Sequence, residues 1–169
     1  KNMKILSMKT TIFLGVMLSL LVCLMFTGCS NPETNPETKS ASRGFTDFEH
    51  IEEEFLATID SLNWPDDVTL PDKLEGEDAG ASFQVGYGET RASYLWEYSW
   101  MKEWLDTYNT DPERAENALE ELEKAFDMPY MGIDRCDDAT RNYLRENIDK
   151  AKLGDPSGFI ESIGANYDN

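Results

Sequence analysis

From Phe45 onward, apolar residues recur every three or four positions in several blocks, the period that builds one buried side of an α-helix. In "FTDFEHIEEEFLATIDSLNWP" the stripe is Phe48, Ile51, Phe55, Ile59 and Leu62; Thr46 stands three residues before Glu49 in capping-box spacing, and Trp64-Pro65 closes the block. Between Asp66 and Glu89 the period breaks. Pro71, Gly76, Gly80, Gly86 and Gly88 punctuate the stretch, and only "VTLP" and "SFQVGYG" alternate briefly, which predicts a loop or a short hairpin. The "GYG" has no following Lys and no phosphate-loop pattern, so it reads as turn punctuation.

A second helix is predicted over Thr90–Tyr108, "TRASYLWEYSWMKEWLDTY". At about 100° per residue, Tyr94, Tyr98, Trp100, Met101, Trp104, Leu105 and Tyr108 share one broad face, with Leu95 and Trp96 outside it. A helix apolar on more than one side belongs at the centre of a core, or in a core wall that also lines a groove. Thr110, Asp111 and Pro112 start a third helix with the stripe Ala115, Ala118, Leu119, Leu122, Ala125 and Phe126. After the loop "MPYMGIDRC", Asp137 or Asp138 caps a fourth helix through Leu144, Ile148 and Ala151 to Leu153, stopped by Gly154. Asp155-Pro156 opens a short fifth helix with Phe159, Ile160 and Ile163. The pattern predicts a mainly α domain over residues 45–169: four or five short helices around an aromatic-rich central one, with a Gly/Pro-rich loop or short hairpin between helices 1 and 2.

Ahead of Phe45 the pattern is of another kind. "KNMKILSMKTT" has three lysines and no acid, and the 15 residues Ile12–Phe26 carry no charge. This is the layout of a secretory signal, and the run falls short of the about 20 apolar residues that span a bilayer. Lys1 is no initiator, which puts the start codon at Met3 or Met8. The run ends in "FTGC", and Cys23 within it is an apolar filler. "SNPETNPETKSASRG", Ser30–Gly44, follows with no aliphatic side chain larger than Ala41; it has too little apolar surface to order itself and reads as a flexible tether of roughly 20 Å.

"FTGC" resembles the lipobox of bacterial lipoproteins, with Gly28 as the small residue before the modified cysteine and Phe26 where Leu, Val or Ile is usual. The resemblance covers residues 1–29 alone. It implies that residues 1–28 are a cleaved signal peptide, that Cys29 is acylated as the mature N-terminus, and that residues 29–44 tether the domain to a bacterial cell membrane on its extracytoplasmic side. The membrane is then a partner through the lipid on Cys29.

Charge narrows the partners further. Beyond Cys29, 12 basic residues face 33 acidic ones, a net charge of −21. Such a surface repels phosphate backbones, so nucleic acid is not an expected partner. A monomer is expected, with no cofactor. Cys136 is the one cysteine after Cys29, and no internal bridge is possible; among Asp134, Asp137 and Asp138 its thiol is expected to be buried, structural and raised in pKa rather than activated. His50 is the only histidine, which excludes a histidine metal cluster, and nothing marks a nucleophile beside it. The acids of "NWPDD" (Asp66, Asp67) and "DRCDD" lack the calcium-loop pattern and read as helix caps.

Glu97 breaks the pattern. On the helical wheel it falls between Trp104 and Tyr108, inside the aromatic face, where a carboxylate has to be paired, protonated or at the mouth of a groove. Pairing with an arginine such as Arg141 is the expected outcome. The alternative is a ligand site in which Trp100, Trp104 and Tyr108 stack on an envelope glycan or a peptide or protein ligand, with Glu97 as the polar contact. The function expected from the sequence is therefore binding or surface structure at the envelope. The alternative is a small glycosidase-like enzyme with Glu97 as acid, which requires a second carboxyl group about 5–9.5 Å away.

Overall fold

A computed structural model describes residues 44–167; the expected signal peptide, Cys29 and almost all of the expected tether lie outside the described residues. Strand β1 (Phe45–Thr46) leads into α1 (Phe48–Ser61); β2 (Phe83–Gln84) leads into α2 (Tyr87–Thr107), followed by α3 (Pro112–Glu123), α4 (Asp138–Lys152) and α5 (Ser157–Asn166). Two 3-10 turns, Lys124–Asp127 and Pro129–Met131, link α3 to α4. The predicted mainly α bundle around an aromatic helix is what forms. Between α1 and α2 the predicted Gly/Pro-rich loop forms, in place of its hairpin alternative: β2 pairs antiparallel with β1, Phe45 opposite Gln84 and Thr46 opposite Phe83, so its partner lies ahead of α1.

Helix starts follow charge. Thr46 belongs to β1, and the cap of α1 is Asp47, whose carboxylate accepts from His50 N at 3.1 Å. Asp111, not Thr110, caps α3 through Arg114 N at 3.2 Å, and Asp137 caps α4 through Thr140 N at 2.8 Å. An aspartate satisfies the third amide as a threonine would, and adds a negative charge at the positive end of the helix dipole. Gly154 stops α4 as predicted, at φ 80°. There Gly154 N donates to Ala151 O and Asp155 N to Lys150 O.

The start of α2 is built differently. Its cap position is Gly86, at φ 88° and with no side chain to offer, so the orphan amides turn to α1. Glu54 accepts from Gly86 N at 2.8 Å and from Gly88 N at 3.2 Å. A Cβ on Gly88 would lie 1.8 Å from the carbonyl oxygen of Ile51, so the two backbones touch here. The "GYG" is thus the joint between α1 and α2.

Packing on α2 proceeds from two sides. Ile51, Phe55 and Ile59 of α1, with Leu74, Phe83 and Ala92, form one buried cluster. Trp96, Trp100, Met101 and Trp104 join Leu122, Tyr130, Met131, Leu144, Ile148 and Phe159 in a second. Trp64 packs against both. The indoles of Trp96 and Trp100 both donate to Asn63 O, at 2.8 and 3.2 Å, which fastens the loop after α1 to the middle of α2. Trp96, outside the predicted face, is 1% exposed because the second cluster wraps around that side. Among the described residues no helix is long and apolar enough to cross a membrane.

Candidate functional site

Glu97 sits midway along α2, 7% exposed, where the backbone amides are already used by the helix ladder. Its carboxylate must therefore find partners on other elements. The 3-10 turn Pro129–Met131 supplies one: the buried Tyr130 hydroxyl donates to Glu97 Oε2 at 2.8 Å. The expected ion pair with Arg141 does not form. Arg141 donates instead to Asp138, to Met131 O and to Cys136 O, tying α4 to the preceding loop. The physical reason is reach: two carbonyls and a carboxylate beside its own helix start satisfy the guanidinium before it extends to α2. With a phenol as its single hydrogen-bond partner among the described residues, Glu97 is pushed up to about 7 by burial, which the Tyr130 hydrogen bond only partly offsets.

Glu97 lines a cleft of about 910 Å³, within the range of small-ligand sites. Helix α2 contributes Arg91, Tyr94, Leu95 and Glu97; the 3-10 turn ends in Met131; α4 contributes Ala139, Thr140, Tyr143 and Leu144; α5 and its end contribute Ser162, Asn166 and Tyr167. Tyr167 closes this wall by donating its hydroxyl to Tyr94 O at 3.1 Å, with its ring 4.8 Å from that of Tyr98. Tyr94 meets Tyr130 edge-on at 5.6 Å. Burial raises the phenol pKa values of Tyr94, Tyr130 and Tyr167, and the nearby Glu97 charge adds to each.

Of the four residues singled out by sequence, Glu97 alone reaches this cleft. Trp100 is buried and held by Asn63 O. Trp104 stacks on Tyr108 at 4.6 Å and meets Phe159 edge-on at 5.3 Å. Trp104 and Tyr108 border a second, shallower depression of about 460 Å³ between α2, α3 and the end of α4, with Glu116, Glu120, Glu123 and Lys152 at its edge. The aromatic walls over Glu97 are tyrosines, not tryptophans. Tyr94, three residues before Glu97 and so on the same side of α2, was within reach of the wheel; Tyr143 and Tyr167 arrive from elements whose packing no local pattern encodes.

The remaining candidates are structural. His50 is exposed, with Nε2 3.4 Å from Glu54 Oε1. Cys136 is half-buried rather than fully buried, its thiol 3.5 Å from the Met131 sulfur. Its pKa is raised, chiefly by burial, with Arg141 opposing and Asp137 adding a smaller push in the same direction. Among the described residues no three His, Cys, Asp or Glu side chains gather where a metal ion would be held. Compared with protein-family models, with curated proteins and with solved structures, the chain matches none.

Proposed function

We propose that this chain is a lipid-anchored module of the bacterial cell envelope, attached through Cys29 on the extracytoplasmic side, whose helical domain binds a small ligand in the cleft over Glu97. The anchor rests on the order of lysines, apolar run, Gly28 and Cys29. The observation that carries the binding reading is a carboxylate 7% exposed, with one phenol partner among the described residues, lining a 910 Å³ cleft walled by tyrosines. Buried carboxylates that serve only the fold are usually hydrogen-bonded on both oxygens. The alternative, acid catalysis by Glu97, draws on its pKa of about 7, but Glu97 is the one carboxylate among the lining residues, so a two-carboxylate hydrolysis has half its machinery there.

Metabolic labelling with an alkynyl fatty acid tests the anchor: the natural chain is expected to label and partition into membranes, and Cys29→Ser to do neither. Labelling that survives the substitution refutes it. An untargeted glycan and peptide screen tests the binding reading, with Glu97→Gln as the control that removes cleft-specific signals.

A further inference from the structure

Glu97 Oε1 has no hydrogen-bond donor among the described residues, and the cleft is its open side. The cations near it are already matched. Arg91 donates to Glu77 and to the Tyr87 hydroxyl, and Arg141 is held by Asp138 and two carbonyls. The unmatched charge of the cleft is therefore negative, in a chain whose net charge beyond Cys29 is −21. Its walls add to this: Tyr94 and Tyr143 are 40% and 38% exposed, and aromatic faces attract cations, most strongly where water is displaced.

We propose that the cleft takes the ammonium group of a small organic cation, with Glu97 Oε1 as counter-ion and the rings of Tyr94, Tyr143 and Tyr167 as walls. This rests on the ligand-binding reading above and names its ligand class. Anions are disfavoured by Glu97. A neutral sugar would leave the carboxylate uncompensated, and the Asn166 amide that could recognise one is engaged with Ser162 O at 2.9 Å.

Proton linkage sharpens the proposal. The groups facing Glu97 are Arg91 and Tyr94 on α2, Tyr130 on the 3-10 turn, Cys136 on the loop, Tyr143 on α4 and Tyr167 after α5. Tyr94, Tyr130, Tyr167 and Cys136 are all shifted upward and stay neutral through the neutral range, where Glu97 ionises. An ammonium ligand selects the ionised carboxylate. Its affinity should be level above pH 7 and fall about tenfold per unit below it, with a proton released on binding.

The test is calorimetry on the full chain in nonionic detergent, with choline, n-butylammonium and L-lysinamide as probes. The controls are n-butanol and the uncharged analogue of choline in which carbon replaces nitrogen. Expected are an ammonium probe bound about tenfold or more tightly than its neutral counterpart, the stated pH profile, loss of binding in Glu97→Gln and weakening in Tyr143→Leu. The pH profile needs no variant, so a folding defect in either substitution leaves the test intact. Equal binding of neutral probes, a flat pH profile or silence from all three ammonium probes overturns the ammonium assignment. A neutral glycan captured in the screen above and lost in Glu97→Gln overturns it while keeping the binding reading; silence in both experiments removes both.

Discussion

At the α1–α2 joint the Glu54 carboxylate accepts from two backbone amides, those of Gly86 and Gly88. About two and a half turns further along α2, the Glu97 carboxylate accepts from one phenol. The residue type is the same, and the position on the helix decides the outcome. A helix start has orphan amides that need an acceptor, so a carboxylate arriving from a neighbour is absorbed into the fold. The middle of a helix has none to give, and a carboxylate there depends on side chains from other elements. Glu54 is consumed by structure, whereas Glu97 keeps one oxygen without a donor among the described residues.

The harshest way to break this comparison is Gly88→Ala. With a Cβ placed 1.8 Å from Ile51 O, the α1 and α2 backbones must part and the Glu54 bonds go with them. The loss is expected at or above roughly 3 kcal/mol, the upper end for overpacking, read from urea unfolding. Next comes Glu97→Gln, which should stabilise. Because the folded pKa of about 7 lies above the ordinary glutamate value of 4.5, Glu97 favours the fold fully below pH 4.5, and that contribution is lost as pH rises through 7. The variant should match the natural chain at pH 4 and exceed it by roughly 3 kcal/mol at pH 8, since glutamine still accepts from Tyr130 and never ionises. A difference that does not change with pH would show that Glu97 ionises freely.

Glu54→Ala should cost about 1–2 kcal/mol, as for loss of a strong helix cap, read from the same urea unfolding. Smallest is the coupling between Glu97 and Arg141. Their variants Glu97→Gln and Arg141→Met should combine to within about 0.5 kcal/mol, because the two side chains share no bond. A larger coupling would restore the ion pair that the structure denies.

What the sequence made legible follows from the range of each interaction. Stripes such as Ile51, Phe55 and Ile59 are local and periodic, and they mark the buried side of their helix directly. Gly154 announces the end of α4 because the left-handed turn there is a demand of the backbone itself. The wheel also placed Glu97 correctly inside the packed side of α2. It could not name the partner, since Tyr130 stands 33 residues away on a turn whose orientation depends on α3 and α4. The same limit misassigned the aromatics. Trp100 and Trp104 share a face with Glu97 along α2, but their indoles are taken by the Asn63 carbonyl and by Tyr108 and Phe159, while tyrosines from α4 and beyond α5 cover the carboxylate. The pairing of β1 with β2 was out of reach for a related reason: two residues per strand leave no alternation to detect, and α1 separates them.

The far wall of the cleft, from Ser157 to the Tyr167 hydroxyl on Tyr94 O, is also the latest part of the described chain to be synthesised. Helices α1 and α3 both pack on their sequence neighbour α2, so most of that hydrophobic interior is able to assemble while α5 is still inside the ribosome. A chain interrupted within α4 would then emerge helical and compact around α2, with an open trough in place of a walled site. If the cleft binds as proposed, recognition is the property that matures last, and ligand capture is the assay that reports a chain read through to Tyr167, which helicity and solubility are not.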